Sequence, residues 1–220
     1  PETAINYEVG LKSYLLDRRL RFNLSAYHTI YDDIQRSVSV QVASGAVSTL
    51  ITNAASAKID GVELEMTIQP VDNFSINANG SYTHAKYDRF VDAILGNRTA
   101  EKFPLPTWTG SVDASWTLPT ALGDLKLNGA WRWRSDTNLR PAAIMASTVT
   151  QKAYGLLDAR ASLHVDSIGV DIAVFARNLL DKEYIIGGVD LDRSSLAYNI
   201  VNMGRPRTVG LELRKSFGSR

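Results

Sequence analysis

Cysteine is absent from the 220 residues, which removes disulfide scaffolds, thiolate metal sites and cysteine nucleophiles together. Excess charge is almost absent too: 24 Lys and Arg against 23 Asp and Glu leave +1. A phosphate-binding surface carries a basic excess, so no nucleic-acid partner is expected. No apolar run is long enough for a spanning helix. The longest uncharged stretch, Ser37 to Ala57, is interrupted by Ser39, Gln41, Ser44, Ser48, Thr49, Thr52, Asn53 and Ser56, whereas such a helix needs about 20 predominantly apolar residues. The opening Pro1-Glu2-Thr3-Ala4 has neither the basic head nor the apolar segment of a secretion signal, and the expectation is a piece of a longer polypeptide. Histidine is scarce: His28, His84 and His164 fall outside metal-binding spacings. Nucleophile elbow and P-loop are missing as well, so the chain reads as no enzyme, with no cofactor and no metal site.

What is present is alternation. Ile5, Tyr7, Val9, Leu11 and Leu15 share one parity, against Asn6, Glu8, Gly10, Lys12 and Tyr14. That is period two, the mark of a strand with one apolar face. The pattern recurs over Leu20 to Tyr27, Gly61 to Ile68, Asn73 to Tyr82, Thr107 to Leu118, Leu125 to Arg134, Leu157 to Val165, Val170 to Arg177 and Thr208 to Phe217. Nine strands are expected, give or take one, the uncertainty lying in Asp33 to Leu50. Phe175 breaks the polar parity.

Tight connections at Asp17 to Arg19, Pro70 to Asp72, Pro119 to Gly123 and Asp166 to Ile168 alternate with long ones at Asp88 to Leu105, Asn138 to Lys152 and Ile185 to Gly204. Alternation of short and long puts all short turns on one rim, the asymmetry of an outer-membrane barrel. Runs of about 10 to 14 residues also suit a tilted bilayer crossing better than a soluble strand. The competing reading is a soluble β-sandwich or a lipocalin-like barrel, whose apolar face would be a dry interior. In the membrane reading the apolar parity meets lipid and the other lines a wet lumen. That lumen parity carries Glu8, Lys12, Arg21, Glu63, Glu65, Asp113, Lys126, Arg132, Arg134, Asp158, Arg160, Glu212 and Arg214, with signs mixed so that cross-strand pairs form. Tyr7, Trp108, Trp116, Trp131, Trp133 and Phe217 suit interfacial girdles or ordinary packing.

Several stretches together resemble the C-terminal part of a TonB-dependent outer-membrane receptor: Tyr7-Glu8-Val9-Gly10-Leu11-Lys12, Tyr31-Asp32-Asp33-Ile34-Gln35, Asn53-Ala54-Ala55 through Gly61-Val62-Glu63-Leu64-Glu65, Asn178-Leu179-Leu180-Asp181-Lys182-Glu183-Tyr184, and Gly204-Arg205-Pro206-Arg207-Thr208-Val209-Gly210-Leu211. The resemblance implies an all-β, antiparallel up-and-down transmembrane barrel segment of about nine strands, part of a 22-stranded barrel. The plug domain and TonB box are expected elsewhere, because residues 1–220 read as barrel throughout. Implied partners are the remaining strands and plug, from a second chain or the parent polypeptide, with TonB acting through the plug. Outer-membrane lipid and a small-molecule ligand complete the set. The implied activity is energised import of a scarce solute, a ferric siderophore being the commonest case. A passive pore or structural barrel half is the alternative. Apolar spacing toward Phe217 resembles the terminal aromatic strand of such proteins, followed by Gly218-Ser219-Arg220.

Candidate ligand contacts are Trp133, Arg134, Asn138 and Arg140 near the outer end of the sixth strand, and Asp190, Asp192 and Arg193 in the last long connection. For the acidic and basic loop residues a simple solvated cluster explains the pattern equally well.

Overall fold

The computed structural model describes residues 1–41, 47–139, 149–191 and 198–215. Its elements are β1 (Thr3–Leu15), β2 (Leu20–Gln41), β3 (Val47–Val71), β4 (Phe74–Asp92), β5 (Gly96–Asn97), β6 (Trp108–Thr120), β7 (Gly123–Arg134), β8 (Thr137–Asn138), β9 (Thr150–Gln151), β10 (Tyr154–Val165), β11 (Val170–Arg177), β12 (Ile185–Leu191), β13 (Tyr198–Met203) and β14 (Thr208–Lys215). Nine of them form one antiparallel sheet in the order β1-β2-β3-β4-β6-β7-β10-β11-β14, with β5 hung on β4. The nine are those the alternation predicts.

Register fixes the faces, because directly opposed residues point to the same side. Val9 lies opposite Ala26, Ala26 opposite Val62, Val62 opposite Tyr82 and Tyr82 opposite Trp108. One step along, Gly10, Ser25, Glu63, Ser81, Thr109 and Arg134 form a polar row. All thirteen charges expected in the lumen fall on this second face. Among the described residues no second layer covers the apolar face, where Val9, Val112, Val174 and Leu211 are exposed. A sandwich or lipocalin-like interior requires such a face to be packed, and the described residues supply no layer that packs it.

Tight turns occupy 16–19, 72–73, 121–122 and 166–169. They share a rim, tied laterally where Gln69 donates its N–H to the Arg19 carbonyl at 2.7 Å and Asp166 donates to Leu122 at 3.1 Å. Differences from expectation lie at the other rim. β2, β3 and β4 run to 22, 25 and 19 residues, so the uncertain region after Asp33 continues both strands. The connection starting at Asp88 begins as strand, since β4 ends at Asp92. Ile185 to Gly204 is not a plain loop but holds the hairpin β12–β13. A bulge in β2 between Tyr31 and Ile34 is filled by Glu2, whose carboxylate accepts from the Gln35 N–H and from the Tyr31 hydroxyl at 2.8 Å. Those two bonds, the backbone one foremost, hold the Glu2 carboxyl below its ordinary pKa. Phe217 and Gly218-Ser219-Arg220 lie outside the described residues.

On the polar face, rings lie over glycines of the next strand. Tyr27 crosses Gly61 to reach the Thr83 hydroxyl at 3.3 Å, and a β-carbon at Gly61 would collide with that ring. Phe175, the residue that breaks the polar parity, lies in the same way over Gly210. Gly61→Val should therefore lower stability by about 1–3 kcal/mol through overpacking. Denaturant titration of the refolded parent receptor measures this, and most of the loss should vanish in the Tyr27→Ala background, where the two changes are coupled.

Candidate functional site

The polar face carries several concavities, two of them broad. One of about 510 Å³ involves Asp113, Lys126, Asp158, Arg160, Phe175 and Glu212. Its three carboxylates, Asp113, Asp158 and Glu212, are paired across strands. Arg132 bridges Asp113 at 3.3 Å and Asp158 at 3.1 Å, while Arg160 reaches Glu212 at 3.0 Å. Arg160 and Glu212 sit on β10 and β14, with Ala173 of β11 opposite Glu212 small enough to let the side chains meet above it. The carboxylates and guanidiniums of these pairs match one another, which suits a wall rather than a ligand site.

The second concavity, about 610 Å³, lies nearer the long-connection rim and includes Glu63, Glu65, Ser81, Arg132, Arg134 and Tyr154. Arg134 and Tyr154 are directly opposed at the ends of β7 and β10. The guanidinium carbon lies 6.0 Å from the Tyr154 ring centroid, and Tyr154 stacks on Tyr184 at 4.8 Å and 24°. Tyr184 in turn lies over Gly204, where a side chain would collide. Among the described residues the buried Arg134 Nε has no hydrogen-bond partner. A guanidinium beside two stacked phenols in an open recess is chemically suited to an anionic or aryl-bearing solute.

A shelf overhangs the same rim. Tyr87, Phe90 and Phe103 pack with Ile34, Ala54, Ala55 and Ala57. Arg36 lies 5.7 Å from the Tyr87 ring centroid and 5.6 Å from that of Phe103. Behind them Arg98 binds Glu101 at 2.6 Å and Asp92 at 3.6 Å, with its guanidinium 4.4 Å from the Phe90 ring centroid. Asp92 caps the following turn, accepting from the Ile94 and Leu95 N–H groups at 2.9 Å each. The small residues of the Asn53-Ala54-Ala55 stretch are what allow these rings to lie flat on the strands.

Of the candidate contacts, Arg134 is in this recess. Trp133 is its neighbour on β7 and so faces the other way, opposite Gly110 and Gly155 on the apolar side. Asn138 sits in the short β8–β9 ladder opposite Thr150, and Asp190 lies on β12 opposite Asn199. Arg140, Asp192 and Arg193 lie outside the described residues. Tyr154 and Tyr184 were not among the candidates. Tyr154 does share the parity of Asp158 and Arg160, a signal hidden by the apolar Leu156 between them. Asn178 serves the sheet rather than the recess. Its side-chain amide donates to the carbonyls of Lys182 at 2.9 Å and Arg205 at 3.1 Å, so two of the resembling stretches meet and join the end of β11 to the start of β14. Among the described residues no cluster of three or more His, Asp or Glu is placed to hold a metal ion.

Residues 1–179 match the family model described as TonB dependent receptor-like, beta-barrel. Curated relatives include the ferric-pyoverdine 358 receptor of Pseudomonas putida, 27% identical over 99% of this chain and 24% of that protein. The pesticin receptor of Yersinia pestis is also 27% identical, over 98% of this chain and 29% of that protein. The chain thus spans about a quarter to a third of the relatives it matches. Among solved structures, the ferric yersiniabactin uptake receptor from Yersinia pestis superposes with a TM-score of 0.78 at 22% identity, covering 99% of this chain and 30% of that one. The pyoverdine outer membrane receptor from Pseudomonas aeruginosa gives 0.72 at 21%, covering 99% and 30%. At these identities the structures speak for the fold.

Proposed function

The chain belongs to the TonB-dependent receptor β-barrel family, an outer-membrane transport family, and from that premise we propose that it is the C-terminal wall of an energised importer for an iron chelate. The remaining strands and a plug, in the parent polypeptide or a second chain, would complete the barrel, and TonB would act through the plug. The sheet supports this need for partner strands: β1 and β14 each pair on one side only among the described residues, and hydrocarbon offers nothing to an unpaired strand edge.

The observation that carries the reading is the recess of Arg134, Tyr154 and Tyr184 at the long-connection rim, the rim that also carries the Phe90–Phe103 shelf. Ferric siderophores are anionic or polar chelates, many with aryl arms, and a guanidinium beside stacked phenols meets both features. The names of the relatives point the same way. A charged hydrogen bond contributes about 1.5–3 kcal/mol, so Arg134→Ala in the parent receptor should weaken binding of the growth-supporting ferric chelate by about ten-fold or more. Trp133→Ala, changed on the opposite face, should leave it unaltered. Equal affinity for wild type and Arg134→Ala in a titration would take Arg134 out of the site. A passive pore would instead show ion conductance without TonB.

A further inference from the structure

The apolar face ends abruptly. From the row of Val9, Ala26, Val62, Tyr82 and Trp108 down to the tight turns, β1 to β4 place no charged residue on that face. The next row toward the long connections is Tyr7, His28, Asp60 and His84, then Ile5, Ile30, Lys58 and Lys86, and then Ser56 and Arg89. The aromatic pair Tyr82 and Trp108, with ring centroids 4.7 Å apart, marks the change.

Its height agrees with a membrane boundary. Phe74 to Tyr82 on β4 span nine residues. At about 3.3 Å per residue and a tilt of about 40° they cover roughly 20–25 Å, close to the apolar band of an outer-membrane barrel. The ionic rows therefore begin where hydrocarbon ends and headgroups start, still facing lipid rather than lumen.

Lys58, Lys86 and Arg89 are matched in number by Asp32, Asp60 and Asp88, so the patch is not cationic as a whole, but the pairing within it is uneven. His28 is hydrogen-bonded to Asp60 at 2.7 Å and Lys58 is paired with Asp88 at 2.8 Å. Lys86 and Arg89 are exposed and make no ion pair among the described residues, and His84 lies beside them. Asp32 is the acid that remains. We propose that Lys86 and Arg89, with Lys58 and His84 at their flank, form an outward-facing site for a phosphomonoester-bearing lipid headgroup of the outer leaflet. Cations at that height attract anionic headgroups, and the fork of Arg89 matches two phosphate oxygens. This inference rests on which face meets lipid and not on the solute carried.

The test uses the full-length parent receptor in neutral detergent, titrated with diphosphoryl lipid A and read by native mass spectrometry. Lys86→Gln with Arg89→Gln should weaken lipid A binding about thirty-fold, taking each surface cation at its usual effect. Arg18→Gln, the same charge change as Lys86→Gln alone but in the β1–β2 turn on the opposite rim, should leave it unchanged. Dephosphorylated lipid A should bind the wild type as weakly as the double variant binds the diphosphoryl form, and millimolar inorganic phosphate should not displace the lipid. Wild-type affinity in the double variant, an equal loss in Arg18→Gln, or displacement by free phosphate would overturn the assignment. Should the double variant fail the heat-modifiable mobility check for folding, Lys86→Gln alone should still weaken binding about five-fold, and no loss there counts against the site.

Discussion

Replacing Arg98 by Ala is expected to release the shelf at the mouth while leaving the sheet intact. Side chains of Arg98 and Asp92 are 3% and 0% exposed, and Arg98 also holds Glu101 and covers the Phe90 ring. Removing the cation leaves the Asp92 carboxylate in a dry site without that counter-ion, and breaking a buried pair from one side costs about 3–5 kcal/mol. The cost falls on a connection rather than on the barrel, so it appears as local opening. Amide hydrogen exchange across 90–101 in the parent receptor should accelerate by about 10²–10³-fold, each factor of ten being about 1.4 kcal/mol, with β6 and β7 unchanged. A lysine in place of this arginine would keep the charge but not the two-point grip on Glu101, so Arg98→Lys should fall between. Lys102→Ala, which loses only the exposed 3.4 Å pair with Asp136, should shift exchange by less than ten-fold. Unchanged protection in Arg98→Ala would mean that the aromatic packing alone holds the shelf. The consequence for transport is pre-organisation: a mouth already ordered around Phe90 and Phe103 spares an incoming solute the entropy of ordering it.

The nine long strands were readable because each separates two solvents, and that asymmetry writes period two into residues such as Val62-Glu63-Leu64-Glu65. Where the two faces see the same medium the code disappears. Beyond Tyr31 and before Ala57, β2 and β3 extend past the apolar band, and there only Ser37-Val38-Ser39-Val40-Gln41 keeps a short alternation, while Thr49-Leu50-Ile51-Thr52 and Asn53-Ala54-Ala55-Ser56 keep none. The β12–β13 hairpin was hidden for a similar reason, within a stretch that reads as a long connection. The shelf is harder still, since the pairing of Asp92 with Arg98 and the packing of Phe103 on Tyr87 follow no period at all. For the candidate site, parity placed Arg134 correctly on the lumen face. Strand geometry also decides against grouping it with Trp133, because consecutive residues point to opposite sides. The Arg134–Tyr154–Tyr184 stack joins β7, β10 and the segment before β12, and only the fold brings three such separate positions together.

Placing an arginine at Val112 should cost about 2–4 kcal/mol of folding free energy into phospholipid vesicles, the penalty for a cation facing lipid near the midplane of a barrel. Val112 sits on β6 midway between Trp108 and Trp116, opposite Ala78 on one neighbour and Trp131 on the other. It is 44% exposed in the chain itself, so nothing protein-made would resist the longer side chain. The matched change one residue earlier, Ser111→Arg, turns into the lumen beside Glu65 and Arg132 and should cost less than about 1 kcal/mol, the range of an exposed charge with an acid in reach. The contrast between adjacent positions is the discriminating quantity, because chain length, strand and added charge are the same for both. Denaturant titrations of the parent receptor followed by tryptophan fluorescence measure it. If the apolar face met water, Val112→Arg would stay within about 0.5 kcal/mol like other surface changes, and the two variants would coincide. A gap of about 2 kcal/mol or more at Val112 alone requires a medium that rejects charge on one side of β6 and accepts it on the other, which is the physical condition for every assignment of lumen, rim and headgroup made from this sheet.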